Sequence, residues 1–183
     1  MRRFVLSLAT AVALVGIGLP VSAALAAPVT TVTYDLSQAG KYAAASRQGI
    51  QIWNNGLKNV QLKEVPAGTA GAVKVRLDTV QNTAPYYSPS TKEIVLTQKQ
   101  IDPIQSDGKP YRDPIRTFVH ESGHSLGLGH KTGSNCVYVM LPSPSGNPRG
   151  CHDYKTPHSS EYSAVDAGAL VTSLPAVQGQ TIS

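Results

Sequence analysis

Three histidines and a glutamate are spaced so that they could surround one metal ion. Residues 120–130 read His-Glu-Ser-Gly-His-Ser-Leu-Gly-Leu-Gly-His. On a helix, His120 and His124 lie one turn apart, so their imidazoles project from the same face. Glu121 is rotated by about 100° from His120, which places its carboxylate beside such a metal rather than on it. The first five residues alone are a modest signal, because this pattern also occurs by chance in unrelated helices.

The residues after His124 extend the pattern to a third ligand. The helix has to end soon after His124 if His130 is to fold back onto the same ion, and Gly127 supplies the positive φ that this turn needs. Three neutral imidazoles with one open position are typical of a catalytic zinc site rather than a closed structural one. The motif therefore predicts hydrolysis in which zinc lowers the pKa of a water to about 7 and Glu121 accepts its proton.

Met140 lies ten residues after His130 and is the only methionine besides the initiator. Methionine commonly fills gaps in a core, but after this motif it predicts the hydrophobic floor beneath the metal, in a methionine-containing turn. Cys136 and Cys151 bracket this turn. In an exported chain two cysteines favour a disulfide over metal ligation, and closing this loop would contribute about 3 kcal/mol.

Other polar residues downstream are candidates for the same site. His152 or His158 could replace the third imidazole as a ligand. Glu161 is the only downstream glutamate, and it would be the third ligand if the chain were a gluzincin-type zinc hydrolase, the group with two histidines and a glutamate. Tyr138 and Tyr154 could donate a hydrogen bond to an oxyanion or contact a substrate.

The N-terminal residues have the layout of a secretory signal peptide. Arg2 and Arg3 precede an apolar run of 16 residues, 4–19, and Ala24-Leu25-Ala26 gives a small-x-small cleavage pattern. The run is shorter than the roughly 20 residues that span a bilayer, which disfavours a membrane anchor. We predict that residues 1–26 are removed and that residues 27–183 form one secreted domain, with the tail after about residue 174 disordered.

The composition of the remaining residues argues against nucleic-acid binding. Removal of the signal peptide arginines lowers the formal net charge from +5 to +3, and the other basic residues are scattered along the chain. No run of them could follow a phosphate backbone. A domain of this size can bury a core without many crosslinks. We expect a monomer with no membrane contact after processing.

Hydrophobic periodicity predicts the elements that position the motif. Strands are expected at residues 29–34, 60–65, 73–77 and 93–97, and a helix over 38–57 with Trp53 in the core. Asp113 as the N-cap and Pro114 at the first helical position begin a second helix, which runs through the motif and ends at Gly127. A last helix is expected over about 160–173.

These residues resemble the snapalysins, the small extracellular neutral proteases within the metzincins. The similarity extends from about Val29 to about Leu170 and includes the zinc motif and the loop of Cys136, Met140 and Cys151. The resemblance implies a compact α+β zincin domain, in which a twisted mixed sheet is backed by two long helices. The zinc helix forms the cleft floor, and an irregular C-terminal part carries the Met-turn and a final helix.

The resemblance also implies a function and a mode of substrate binding. A snapalysin-like chain is a secreted zinc endopeptidase that cleaves extracellular proteins. Its peptide substrates lie antiparallel along an edge strand, here expected from Ala84 to Ser88, where main-chain hydrogen bonds give affinity. A non-catalytic binding module on the same fold would lack the base or a ligand, and neither is missing here.

Two positions depart from the snapalysin pattern. Snapalysins typically have an aspartate where His130 stands, so this chain has the more usual metzincin ligand set. The family also has a calcium site before the zinc helix. Asp113 matches its carboxylate, but Ile115 stands where a hydroxyl ligand is expected, which argues against Ca²⁺. Helix capping explains Asp113 equally well.

Overall fold

A computed structural model of the chain describes residues 29–104, 108, 110–133, 136–142, 151 and 154–172. The predicted signal peptide, the predicted C-terminal tail and His152 lie outside these residues. Within them, no helix has the length and apolar composition that crossing a bilayer requires.

Among the described residues, five strands form one sheet. They are β1 (Thr30–Gln38), β2 (Val60–Val65), β3 (Val73–Asp78), β4 (Tyr86–Ser88) and β5 (Glu93–Thr97). The strand order is β2-β1-β3-β5-β4. The three pairings among β1, β2, β3 and β5 are parallel, whereas β4 runs antiparallel to β5 and forms one edge. The sheet is therefore mixed, and its only antiparallel strand among the described residues is β4.

The strands follow from the hydrophobic pattern of the sequence. In β3, Val73 and Val75 are buried while Lys74 between them is exposed, as expected for a strand with one face on the core. In β5, all residues from Ile94 to Thr97 are buried, which suits an inner strand covered on both faces. The first strand extends four residues beyond the predicted boundary, to Gln38.

The described part of the chain also contains four α-helices. They are α1 (Ala43–Asn54), α2 (Gln98–Ile101), α3 (Pro114–Ser125) and α4 (Ser159–Thr172). The helix predicted over 38–57 is shorter at both ends. At its N-terminal end a 3-10 turn, Gly40–Tyr42, precedes α1. The predicted last helix is displaced by one residue.

Helices α1 and α3 pack against each other, and the sole tryptophan joins them. Trp53 on α1 is fully buried, and its indole N–H is shared between the Ser122 hydroxyl, 2.9 Å away, and the Val119 carbonyl, 3.2 Å away. Both partners lie on α3. Phe118, also on α3, contacts Tyr34 of β1 edge-on. The α+β architecture with two long helices is confirmed, and its core fixes the orientation of α3.

Candidate metal centre

Helix α3 begins and ends where its sequence predicts. The Asp113 carboxylate accepts a hydrogen bond from the backbone N–H of Arg116 at 2.9 Å, which is an N-cap, and Pro114 occupies the first turn. At the other end Gly127 has φ +89°. The N–H of Leu128 then donates to the Gly123 carbonyl at 3.0 Å. The chain reverses direction at this turn, and the residues that follow return towards the helix.

The reversal brings three imidazoles together. The Nε2 atom of His130 lies 3.2 Å from Nε2 of His120 and 3.1 Å from Nε2 of His124. Three nitrogens bound tetrahedrally to zinc at 2.0–2.1 Å would be about 3.3 Å apart. Among the described residues, these three form the only cluster of metal-ligating side chains. The donor set, the approach of the nitrogens and the histidine chemistry therefore all fit a zinc ion.

Backbone carbonyls orient two of the rings. Nδ1 of His120 lies 2.8 Å from the Val139 carbonyl, and Nδ1 of His124 lies 2.8 Å from the Leu128 carbonyl. A carbonyl can only accept, so each Nδ1 carries the proton and each Nε2 presents its lone pair to the centre. Burial lowers the pKa of His120 to about 3 and also lowers the pKa of His130. Both rings are therefore neutral at pH 7, as metal ligation requires.

Glu121 lies beside the imidazoles in a buried setting. Burial raises the pKa of its carboxyl to about 8, against the opposing effects of the Arg112 charge and of a hydrogen bond from the Tyr87 backbone. Tyr87 belongs to the edge strand β4. The carboxyl therefore contacts the strand at the edge of the sheet and lines the same cavity as the three imidazoles.

Met140 packs against α3 at Gly123, which lies between His120 and His124. It is fully buried, and its sulfur is the nearest atom to the position that a β-carbon on Gly123 would occupy. Its carbonyl accepts a hydrogen bond from the N–H of Lys131 at 3.0 Å. The predicted disulfide between Cys136 and Cys151 is present, with the two Cα atoms 5.1 Å apart.

A cavity of about 520 Å³ opens over the three imidazoles and Glu121. One side of the cavity consists of residues 84–87 and Pro89, which include most of β4. Pro142, two residues after Met140, also lines it. Arg112, Arg116 and Thr117 complete the lining. Sequence reasoning missed the two arginines, although Arg116 precedes His120 by four residues and so shares its helix face.

Three of the other candidate residues lie outside the cavity. Neither Tyr138 nor Tyr154 lines the cavity, so the suggested oxyanion or substrate contact has no support in the geometry. Tyr138 packs edge-on against His158, and Tyr154 is exposed. The imidazole of His158 faces the hydroxyl of Ser160 at 2.9 Å, where it caps α4 rather than joining the cluster.

Glu161 and Asp113 also have partners that explain them without a metal. Glu161 as a third zinc ligand is wrong, because its fully buried carboxylate accepts hydrogen bonds from the backbone instead. Asp113 caps α3 with one carboxylate oxygen and pairs with Lys155 at 2.8 Å through the other. This pairing occupies the carboxylate that a calcium site would need.

The chain was compared with protein families, with solved structures and with curated protein sequences. The model of a family described as the Streptomyces extracellular neutral proteinase (M7) family matches residues 29–169. The fold is similar to that of myroilysin, with a TM-score of 0.50 and 14% identity over 80% of this chain and 94% of that chain. Archaemetzincin from Methanopyrus kandleri aligns with a TM-score of 0.46 and 13% identity over 80% of this chain and 98% of that chain. No curated protein sequence is significantly similar to the chain.

Proposed function

Because the chain belongs to the Streptomyces extracellular neutral proteinase (M7) family, we propose that it is a secreted zinc endopeptidase that cleaves extracellular proteins. The observation that carries the proposal is the convergence of three Nε2 atoms, in which those of His120 and His124 lie within 3.2 Å of that of His130, in a cavity that also holds Glu121. His120, His124 and His130 would hold the ion, and Met140 would be the floor beneath them.

A zinc ion held there would supply a Lewis acid that polarises a peptide carbonyl and makes a water nucleophilic near pH 7. Glu121 takes the proton of the attacking water, since its carboxylate lies beside the ligands and is not itself one of them. The same carboxyl then gives that proton to the departing amine. Burial raises the pKa of this carboxyl in the metal-free site, and the charge of a bound zinc ion would oppose that shift and favour the carboxylate that accepts the proton.

The edge strand β4 is the surface on which we place the substrate. Within the part of the chain that the structure describes, β4 pairs only with β5 and ends the strand order. Residues 84–87 border the cavity, so a peptide added antiparallel along this edge would run past Glu121 and the imidazoles. Edge strands bind extended peptides through main-chain hydrogen bonds. This arrangement favours unfolded or flexible segments of proteins as substrates.

The test is casein hydrolysis by the purified protein, with and without a chelator, followed by addition of zinc. We expect activity that the chelator abolishes and zinc restores. Glu121→Gln should bind zinc and show at least a hundredfold lower kcat, in the range of a lost general base. Glu64→Gln is the matched control, because Glu64 lies on β2, at the opposite edge of the sheet, where it forms an exposed ion pair with Arg47 of α1. Chelator-insensitive cleavage, or none under any condition, would refute the proposal.

A further inference from the structure

The carboxylate of Glu161 is fully buried and accepts three hydrogen bonds from the backbone. One oxygen accepts from the N–H of Met140 at 2.8 Å. The other accepts from the N–H of Val139 at 3.1 Å and from the N–H of His158 at 2.7 Å. A buried carboxylate is costly unless such donors surround it, and hydrogen bonds to a charged acceptor are about twice as strong as neutral ones.

The same two residues, Val139 and Met140, use their carbonyls to hold the His120 ring and the backbone of Lys131. The Val139 carbonyl is the group that orients His120, with Nδ1 at 2.8 Å. The Met140 carbonyl accepts from the N–H of Lys131 at 3.0 Å, and Lys131 directly follows His130. Thus Glu161 binds the N–H groups of Val139 and Met140. The carbonyls of the same two residues bind His120 and the residue that follows His130.

Arg116 strengthens the same turn from the zinc helix. Its guanidinium is buried, and one nitrogen donates to the carbonyls of Leu141 at 3.1 Å and Val139 at 3.4 Å. The turn of residues 139–141 is therefore held between a carboxylate on α4 and a guanidinium on α3. Both groups bind the backbone of the turn, and neither is a proposed ligand of the metal.

We propose that Glu161 is a positioning residue of the metal centre, which sets zinc affinity by holding Val139 and Met140, whose carbonyls bind the His120 ring and the backbone next to His130. The proposal rests on the proposed function, since it assumes that the three imidazoles bind zinc. Partners that orient metal ligands typically change metal affinity by 10–100-fold when they are removed.

The same helix contains a matched control. Asp166 on α4 also accepts three backbone hydrogen bonds with its carboxylate, two from the N–H of Lys58 and one from the N–H of Asn59. These donors precede β2, at the far edge of the sheet from β4. Replacing Asp166 by Asn thus removes another backbone-binding carboxylate of α4, which is only half-buried and whose partners lie away from the turn of residues 139–141.

The experiment compares Glu161→Gln with Asp166→Asn and the unchanged chain. Zinc dissociation constants come from competition with a chromophoric chelator, and the stability of each metal-free protein comes from urea unfolding monitored by Trp53 fluorescence. Both variants are expected to be less stable. Only Glu161→Gln should bind zinc more weakly, by about 10–100-fold, and only it should show faster hydrogen exchange at the amides of Val139 and Met140 without metal.

Glu161→Asp keeps the charge and shortens the side chain by one methylene, and it replaces the glutamine variant if that protein does not fold. Its zinc affinity should lie between those of the unchanged chain and Glu161→Gln. Equal zinc affinities for the unchanged chain and the Glu161 variant would overturn the proposal, as would equal losses in the Asp166 control. If the unchanged chain itself has no zinc affinity, the proposed function fails instead.

Discussion

Gly123 and Met140 are packed so tightly that a β-carbon on the glycine would lie far inside van der Waals contact of the methionine sulfur. Gly123 stands between the first two histidines of the zinc helix, and Met140 belongs to the turn that orients His120. The absence of a side chain at this position thus lets the turn approach the helix closely. A glycine inside a helix costs about 1 kcal/mol relative to alanine, so the close approach explains a residue that propensity alone disfavours.

Gly123→Ala is expected to destabilise the metal-free protein by about 1–3 kcal/mol, the usual cost of overpacking a core, and to weaken zinc binding because Met140 must move. Gly168→Ala is the matched control. Gly168 lies inside α4, and a β-carbon there would meet nothing within 4 Å, so alanine should stabilise by up to about 1 kcal/mol. Urea unfolding followed by Trp53 fluorescence measures both. A neutral or stabilising Gly123→Ala would contradict the packing.

Gly127→Ala tests the turn that returns His130 to the helix. Its φ of +89° is strained for any residue with a β-carbon, and no neighbour crowds the site. The expected loss is about 1–2 kcal/mol, together with weaker zinc binding as the third imidazole is displaced. Gly129→Ala, two residues on, has neither a positive φ nor a close neighbour and should be nearly neutral. Equal effects at the two glycines would show that the backbone conformation is not the cause.

The buried Glu121 predicts a pH dependence of stability in the metal-free protein. Burial raises its pKa from 4.5 to about 8, whereas the unfolded chain keeps the ordinary value. Between these two pH values the folded protein retains a proton that the unfolded chain has released, so stability falls as pH rises. Glu121→Gln cannot ionise, and its stability relative to the unchanged chain should increase by at least about 1 kcal/mol from pH 5 to pH 8. If the free energy of urea unfolding depends on pH in the same way in both proteins, Glu121 is not the source of the pH dependence.

The disulfide between Cys136 and Cys151 closes a loop of the chain that contains Met140. Replacing both cysteines by alanine should cost about 3 kcal/mol, the value expected for a loop of this length. For a domain of this size, that corresponds to a decrease in Tm of roughly 6–12 °C. Thermal unfolding of the metal-free protein checks the prediction. An unchanged Tm would mean that packing around Met140 holds the loop without the crosslink.

Local rules explain why the zinc helix could be predicted from the sequence. An N-cap carboxylate at Asp113, a proline at the next position and a glycine past the last turn each act within a few residues. The spacing of His120 and His124 is likewise a property of one helix. One further turn, at Gly127, brings His130 back to the helix, so the cluster of three histidines could be predicted from the sequence.

Contacts between distant segments were not predictable in the same way. Glu161 meets Val139 and Met140 across more than 20 residues, and nothing in its local pattern distinguishes a backbone acceptor from a metal ligand. The positions of Tyr138 and Tyr154 depend on how the irregular segment folds, which hydrophobic periodicity does not encode. Helix α1 begins later than predicted because a 3-10 turn and an α-helix share similar apolar spacing over one turn.

Anomalous diffraction at the zinc edge, from crystals grown with one equivalent of zinc, tests the central claim most directly. We predict a single strong peak at about 2.0–2.1 Å from the Nε2 atoms of His120, His124 and His130, with the Glu121 carboxylate beside the ion and not bound to it. A peak bound by only two of these imidazoles, with His130 turned away, or a peak at other residues would contradict the account.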